Sequence, residues 1–373
     1  MRLQLARYSA LLPGAAMAVL VAGGIVATPP AAYVAAVQGG PIGDVKRLIE
    51  GHYTEAFEDL YANELFGRDL SVNLWGALDF AIFGEGTSKV VVGRDGWLYT
   101  AEEFEQPAGH AANLDRNLLS VKNAKARLDQ LGIDLLVAVV PPKTAIYPEK
   151  LADAPPPNRL AARRRFLAGL EAAGVAHVDL EAALRPAPGE SQTFMTRDTH
   201  WSPAGAAKAG QAAAAAARAS FPAADLPEKA FVRRAGDAAT HAGDLMKFTP
   251  VGSFASLLGL EPEPVAPFTA EPAIGPNAVA DAADSLFGAA EIPVALIGTS
   301  YSAQETWGFA EALRIELQAD VLNLAEEGGG PVAPMKTFLD GLAAMDAPPR
   351  LVIWEWPARF VDTDYAEHAI DAP

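Results

Sequence analysis

Asp134-Leu135-Leu136-Val137-Ala138-Val139-Val140, closed by Pro141-Pro142, is an apolar run opened by one acid and stopped by two prolines. A strand with one wet face would alternate polar and apolar residues, so a continuous run of this length predicts a strand buried on both faces. An amphipathic segment from about Leu114 to Leu131 precedes it. A second helical pattern, Arg159 to Ala173, stops at Gly174 and feeds Val175-Ala176-His177-Val178-Asp179-Leu180. Strand, helix, strand is the crossover unit of a parallel sheet. The tail repeats the pattern. Pro293-Val294-Ala295-Leu296-Ile297, Asp320-Val321-Leu322-Asn323-Leu324 and Arg350-Leu351-Val352-Ile353-Trp354-Glu355-Trp356 read as strands, separated by helices at Thr306 to Leu317 and Met335 to Met345. Five buried strands joined by helices predict an α/β fold, a three-layer sandwich around a parallel sheet.

Upstream, Val90-Val91-Val92 and Trp97-Leu98-Tyr99 flank Gly93-Arg94-Asp95-Gly96, a hairpin signal. Between Gly43 and Phe83, apolar residues recur at three- and four-residue steps and predict helices of a stalk or cap. Ala204 to Ala217 reads as an Ala-rich helix, and about 221–290 as a Pro- and Gly-rich insertion of loops with a possible hairpin. At the amino terminus, Arg2 and Arg7 are followed by no charged residue until Asp44, with the most apolar stretch at about Leu11 to Ala27. Positive charge ahead of an apolar segment holds the start of a chain in the cytoplasm and sends the rest across the membrane. Val34-Ala35-Ala36 offers a cleavage site, and an uncleaved anchor is favoured. The expected organisation is a signal anchor or signal peptide at 1–32, the stalk at 33–88 and the α/β domain at 89–373.

The 373 residues carry 29 Lys+Arg against 46 Asp+Glu, a formal net charge of −17. Nucleic-acid binding needs the opposite excess, so that class is set aside. With no cysteine, disulfides, thiol nucleophiles and thiolate metal sites are also excluded. What remains for chemistry is hydroxyl, imidazole and carboxylate.

In open α/β sheets the ligand crevice lies at the carboxyl ends of the strands, which selects two short blocks. Gly298-Thr299-Ser300-Tyr301-Ser302 follows the strand ending at Ile297, where a serine can point its oxygen into the crevice. Taken alone it is equally an ordinary turn or helix cap. Asp198-Thr199-His200-Trp201-Ser202-Pro203 precedes the Ala-rich helix. Asp198 can orient the His200 ring and stabilise its imidazolium, leaving the second nitrogen for a hydroxyl. Ser202 with Pro203 also reads as a helix cap. His52, His110, His177, His241 and His368 show no spacing that completes a metal site, and no cofactor is implied.

These two blocks, together with Phe83-Gly84-Glu85-Gly86, Val92-Gly93-Arg94-Asp95-Gly96-Trp97-Leu98-Tyr99, Gly243-Asp244-Leu245, Gly328-Gly329-Gly330-Pro331 and Ile353-Trp354-Glu355-Trp356-Pro357-Ala358-Arg359, resemble the SGNH-hydrolase-like alginate O-acetyltransferases of the AlgJ and AlgX type. The resemblance covers roughly residues 45 to 361 and implies a circularly permuted SGNH-like fold, since Asp198 and His200 come before Ser300 rather than after it. It further implies Ser300 as nucleophile, His200 as base and Asp198 as orienter, with acetyl groups passed to hydroxyls of an exopolysaccharide through an acetyl-serine. Oxyanion donors would be the Ser300 N–H and an N–H of the loop holding Gly329 and Gly330. The SGNH asparagine block is replaced by Trp354-Glu355-Trp356-Pro357, which leaves the third donor open, with Tyr301 as a substitute. The expected setting is the periplasm, anchored at the inner membrane, with a membrane-bound O-acyltransferase as acetyl donor.

Two rivals share these residues: an acetylesterase using the same triad, and a non-catalytic polysaccharide-binding subunit. Arg359 is expected to pair with Glu355 or to reach a sugar carboxylate. Trp97, Trp201 and Trp307 are candidates for sugar stacking or for the core. Lys143 is a candidate ligand contact, and Arg163-Arg164-Arg165 reads as a solvated helix face. The net charge sits poorly with a polyanionic acceptor unless cations gather at the cleft.

Overall fold

The computed structural model describes residues 67–222, 224, 226–273 and 292–373, with isolated positions 17–19, 22, 23, 46, 49 and 50 before them. The expected anchor at 1–32 and most of the stalk lie outside the described residues. Among those that are described, no helix is long and apolar enough to cross a membrane. The chain divides into two units, Met1–Phe83 with Pro250–Gly259, and Gly84–Thr249 with Leu260–Pro373. In the first unit a helix, α1 (Arg68–Leu78), runs on into one π turn at Asp79–Phe83.

In the second unit the hairpin forms as β1 (Val90–Val92) and β2 (Leu98–Thr100), with Val91 opposite Tyr99. Then follow α2 (His110–Asp129), β3 (Asp134–Val140), α3 (Pro157–Ala172), β4 (Ala176–Asp179) and α4 (Pro203–Ser220). The insertion carries more order than its composition suggests. Its strands β5 (Phe231–Ala235) and β6 (Ala239–His241) return as β7 (Glu263–Val265) and β8 (Phe268–Pro272), with β5 antiparallel to β8 and β6 antiparallel to β7. Most of β5 and β6 is exposed, so neither carries the apolar pattern that marks a buried strand. The tail supplies β9 (Val294–Ile297), α5 (Phe309–Leu317), β10 (Val321–Asn323), α6 (Val332–Gly341) and β11 (Leu351–Pro357).

Five strands form the central sheet in the order β10-β9-β11-β3-β4, every pairing parallel. Counted from β9, this is 2-1-3-4-5, a doubly wound order with its switch point between the first and third strands, here β9 and β11. Successive side chains take opposite faces. Leu136, Ala138 and Val140 pack with Ala206, Ala209 and Ala213 of α4 and Leu313 of α5. Leu135, Val137 and Val139 pack with α2, α3 and α6 through Leu128, Phe166 and Met335. Each fully covered Leu, Val or Phe contributes roughly 1.5–3 kcal/mol relative to exposure. The small residues of α4 let α5 approach: a Cβ at Gly210 would lie 2.4 Å from that of Ala312.

Candidate active site

The loop leaving β9 opens the crevice at the switch point. Thr299 is extended, and Ser300 begins a short helix, Ser300–Ala303, half-buried at the cleft. Gly298 is required here, because a Cβ would lie 2.5 Å from Glu355 Oε2. That fully buried carboxylate holds the loop from below. It accepts the Thr299 N–H at 2.7 Å, the Thr299 hydroxyl at 3.0 and 3.2 Å and the Ser302 hydroxyl at 3.1 Å. Asn323 at the end of β10 donates to the Ser302 carbonyl at 2.8 Å.

The second loop is set by the start of α4, where Ser202 caps the helix by accepting the Gly205 N–H and Pro203 fills the first turn. Phe194 bridges Trp201, and the Met195 N–H donates to the His200 carbonyl. This fixes the backbone that carries Asp198 and His200. The structure brings the three expected residues together: His200 Nε2 is 2.7 Å from Ser300 Oγ, and His200 Nδ1 is 2.6 Å from Asp198 Oδ1. A carboxylate at Nδ1 assigns the proton to that nitrogen and leaves Nε2 to accept from the Ser300 hydroxyl.

Asp198 is buried, and both its oxygens are occupied. Oδ1 also accepts the His200 N–H at 2.9 Å, while Oδ2 accepts His241 Nε2 at 2.7 Å and the Asp244 N–H at 2.8 Å. Burial alone would raise its pKa. The hydrogen bonds and charges of His200 and His241, with the His200 backbone N–H, outweigh that and hold the carboxyl well below the usual range. Asp244 in turn accepts the Thr199 N–H at 2.8 Å and the Thr199 hydroxyl at 2.6 Å. Asp198, His200 and Asp244 offer one potential metal-ligand atom each within 4.8 Å of one another. The Asp198 and Asp244 carboxylates and the His200 ring already serve the hydrogen bonds above, which makes the cluster a hydrogen-bond network.

Several expected contacts fall elsewhere. Tyr301 and Trp201 are buried and do not line the cleft. The Tyr301 hydroxyl donates to the Thr199 carbonyl at 2.6 Å and accepts from Arg359, while the Trp201 indole donates to the Tyr301 carbonyl. Tyr301 is therefore a brace between the two loops rather than an oxyanion donor, and Trp201 is core rather than a sugar platform. Trp97 and Trp307 are also core; Trp307 stacks on the His200 ring at 5.5 Å and 20°. Lys143 is buried, with Nζ donating to the carbonyls of Leu98, Thr196 and Asp198 at 2.7, 2.9 and 3.0 Å. It ties the hairpin to the Asp198 loop instead of meeting a ligand, and burial pulls its pKa down to about 8. Arg163 is not solvated but buried against Asp179 and Glu181, whereas Arg164 and Arg165 are exposed.

Arg359 does line the cleft, yet its ion pair is with Glu102 at 3.0 Å and not with Glu355. Its backbone is fixed by the buried Arg159, which binds the Arg359 carbonyl at 2.9 Å and both oxygens of Asp362 at 2.7 Å. Gly328, Gly329 and Gly330 form another stretch of wall. Gly330 is held at φ 67°, and a Cβ there would lie 2.5 Å from the Tyr365 ring. The cleft has a volume of about 820 Å³, with Ser300 and His200 in its lining. Glu102, Asp244, Asp364 and Glu367 line it against a single guanidinium, Arg359. Cations therefore do not gather at the cleft among the described residues.

Residues 90–358 match the family model described as "SGNH hydrolase-like domain, acetyltransferase AlgX". The chain belongs to this family. It is 39% identical over 315 residues to the probable alginate O-acetylase AlgJ of Pseudomonas syringae pv. tomato, spanning 84% of this chain and 80% of that one. The probable alginate O-acetylase AlgJ of Pseudomonas aeruginosa is likewise 39% identical, spanning 84% of this chain and 81% of its own. Among solved structures, the O-acetyltransferase domain of Pseudomonas putida AlgJ shares 36% identity at a TM-score of 0.65, covering 74% of this chain and 93% of that domain. Glu355, in the block where the resemblance left an asparagine missing, supports the serine loop and does not line the cleft. The sequence did not mark His241: a single histidine in a polar insertion has no spacing partner, and only the β6–β7 pairing carries it to Asp198.

Proposed function

We propose that this chain is an exopolysaccharide O-acetyltransferase that works through an acetyl-Ser300 intermediate. The observation that carries the reading is the 2.7 Å contact of His200 Nε2 with Ser300 Oγ, backed by Asp198 and opening on the large cleft. Ser300 Oγ attacks the acetyl carbonyl of the donor as its proton passes to His200 Nε2, and Asp198 stabilises the imidazolium. The N–H of Ser300 and an N–H of the Gly328–Gly330 loop take up the developing oxyanion. Each such donor is worth about 10²–10³ in rate. Collapse expels the donor oxygen, which receives the proton from Nε2 and leaves acetyl-Ser300. A sugar hydroxyl then attacks the ester carbonyl while giving its proton to Nε2, and collapse returns that proton to Ser300 Oγ.

The donor is a membrane-bound O-acyltransferase that brings acetyl groups across the membrane, and the enzyme works in the periplasm, tethered by residues 1–32. Arg2 and Arg7 ahead of a long uncharged stretch support this placement. The reading is tested by incubating the protein with an activated aryl acetate and a polysaccharide. Acetyl-Ser300 in a proteolytic digest and ester on the polymer are expected; free acetate with an unmodified polymer would make the protein an esterase, and neither product would remove the catalytic role.

Four cleft carboxylates set the salt response. With a polyuronate acceptor, the transfer rate is expected to rise several-fold between about 0.01 and 0.15 M salt, because screening shortens from about 30 to about 8 Å. A rate that falls with salt would show that cationic groups guide this acceptor.

A further inference from the structure

The Asp198 carboxylate serves two imidazoles. His241 Nε2 lies 2.7 Å from Oδ2 while His200 Nδ1 lies 2.6 Å from Oδ1, and both rings contact Trp307, His200 stacked at 20° and His241 edge-on at 83°. The acetyl-transfer reading uses only His200. His241 is carried by β6 of the insertion, and its side chain is 34% exposed, so it exchanges protons with solvent although its partner carboxylate is buried. We propose that His241 is a positioning residue of this site: it clamps Asp198 by the second carboxylate oxygen and, through its own charge state, sets how strongly Asp198 supports the His200 imidazolium. The inference rests on the acetyl-Ser300 reading and adds a group outside the triad.

The surroundings of His241 favour its charged form. The hydrogen bond to Asp198 raises its pKa, burial opposes, and the charges of Asp198, Asp244 and Glu263 add to the rise. Glu263 of β7 is its cross-strand partner and is itself paired with Arg197 at 3.5 Å. Lys143 reaches the Asp198 carbonyl from the other side, and His200 lies across Trp307. When His241 is charged it takes up part of the Asp198 charge, so less of that charge is left to steady the imidazolium that forms on His200 during transfer. The strength of the Asp198 clamp therefore follows the charge state of His241.

The test is the pH profile of aryl acetate hydrolysis by the full chain and by His241→Gln, His241→Ala and Ser300→Ala. Glutamine retains an N–H donor but cannot titrate. His241→Gln is expected to lower the plateau about threefold and to remove the His241 step from the acid limb, leaving it shallower. His241→Ala, which leaves Oδ2 with one donor, is expected to lose about tenfold or more at every pH. A His241→Gln acid limb unchanged from wild type would overturn the charge role. Equal losses in both variants with no change in pH shape would reduce His241 to a packing residue and overturn the proposal. Wild type and Ser300→Ala hydrolysing alike would instead overturn the acetyl-Ser300 reading on which it stands.

Discussion

Ser300→Ala is expected to reduce acetyl transfer by on the order of 10⁴-fold or more while leaving the fold intact. The Ser300 hydroxyl meets His200 Nε2 at a half-buried position, and the loop around it is held by Thr299, Ser302 and Glu355. Deleting one oxygen thus removes the nucleophile without leaving a buried donor stranded. The residue left by Ala cannot form an acyl intermediate, so the loss should appear in the acetylation half-reaction and not only in transfer to polymer. Burst kinetics with an aryl acetate separate the two: the burst vanishes in Ser300→Ala, and the melting temperature stays within a few degrees of wild type. Full polymer acetylation by Ser300→Ala in cells would refute the nucleophile assignment.

The parallel sheet was legible because both-face burial leaves continuous apolar runs, and Leu135 to Val140 and Leu351 to Trp354 have them. The strand order was not legible, since nothing local in β9 says that it lies between β10 and β11. Asp198, His200 and Ser300 could be read because they flank recognisable elements, a helix cap and a strand end. Four other residues were not readable, for physical reasons. Lys143, read from its place at a strand end as a candidate ligand contact, is internal only because three carbonyls approach it. Arg163 is followed directly by two arginines that do face water, so nothing in the run sets it apart. Tyr301 and Trp201, next to catalytic candidates in sequence, point away from the cleft because neighbours on a tight turn take different directions.

Glu355 is the residue whose removal is expected to cost most in stability. It lies on the sheet face opposite the Trp354 and Trp356 side chains, in a strand otherwise apolar, and it accepts the Thr299 N–H and the hydroxyls of Thr299 and Ser302. Glu355→Ala removes the acceptor of three buried donors and leaves a cavity, a loss of about 3–5 kcal/mol. Thr299 then loses its anchor, and Ser300 drifts from His200, so activity should fall by about tenfold or more even below the melting range. Glu355→Gln separates shape from charge. Burial raises the Glu355 pKa against the Thr299 and Ser302 hydrogen bonds and the charge of Arg359. A carboxyl raised on folding contributes most stability below its unfolded value, about 4.3, and that contribution is lost as pH rises through the folded value. Glutamine cannot ionise, so Glu355→Gln should gain on wild type as pH rises from 5 to 8 in thermal melts. A gap between the two that stays constant across this range would place the Glu355 titration outside it. A wild-type melting temperature in Glu355→Ala would mean that the serine loop is held by something other than this carboxylate.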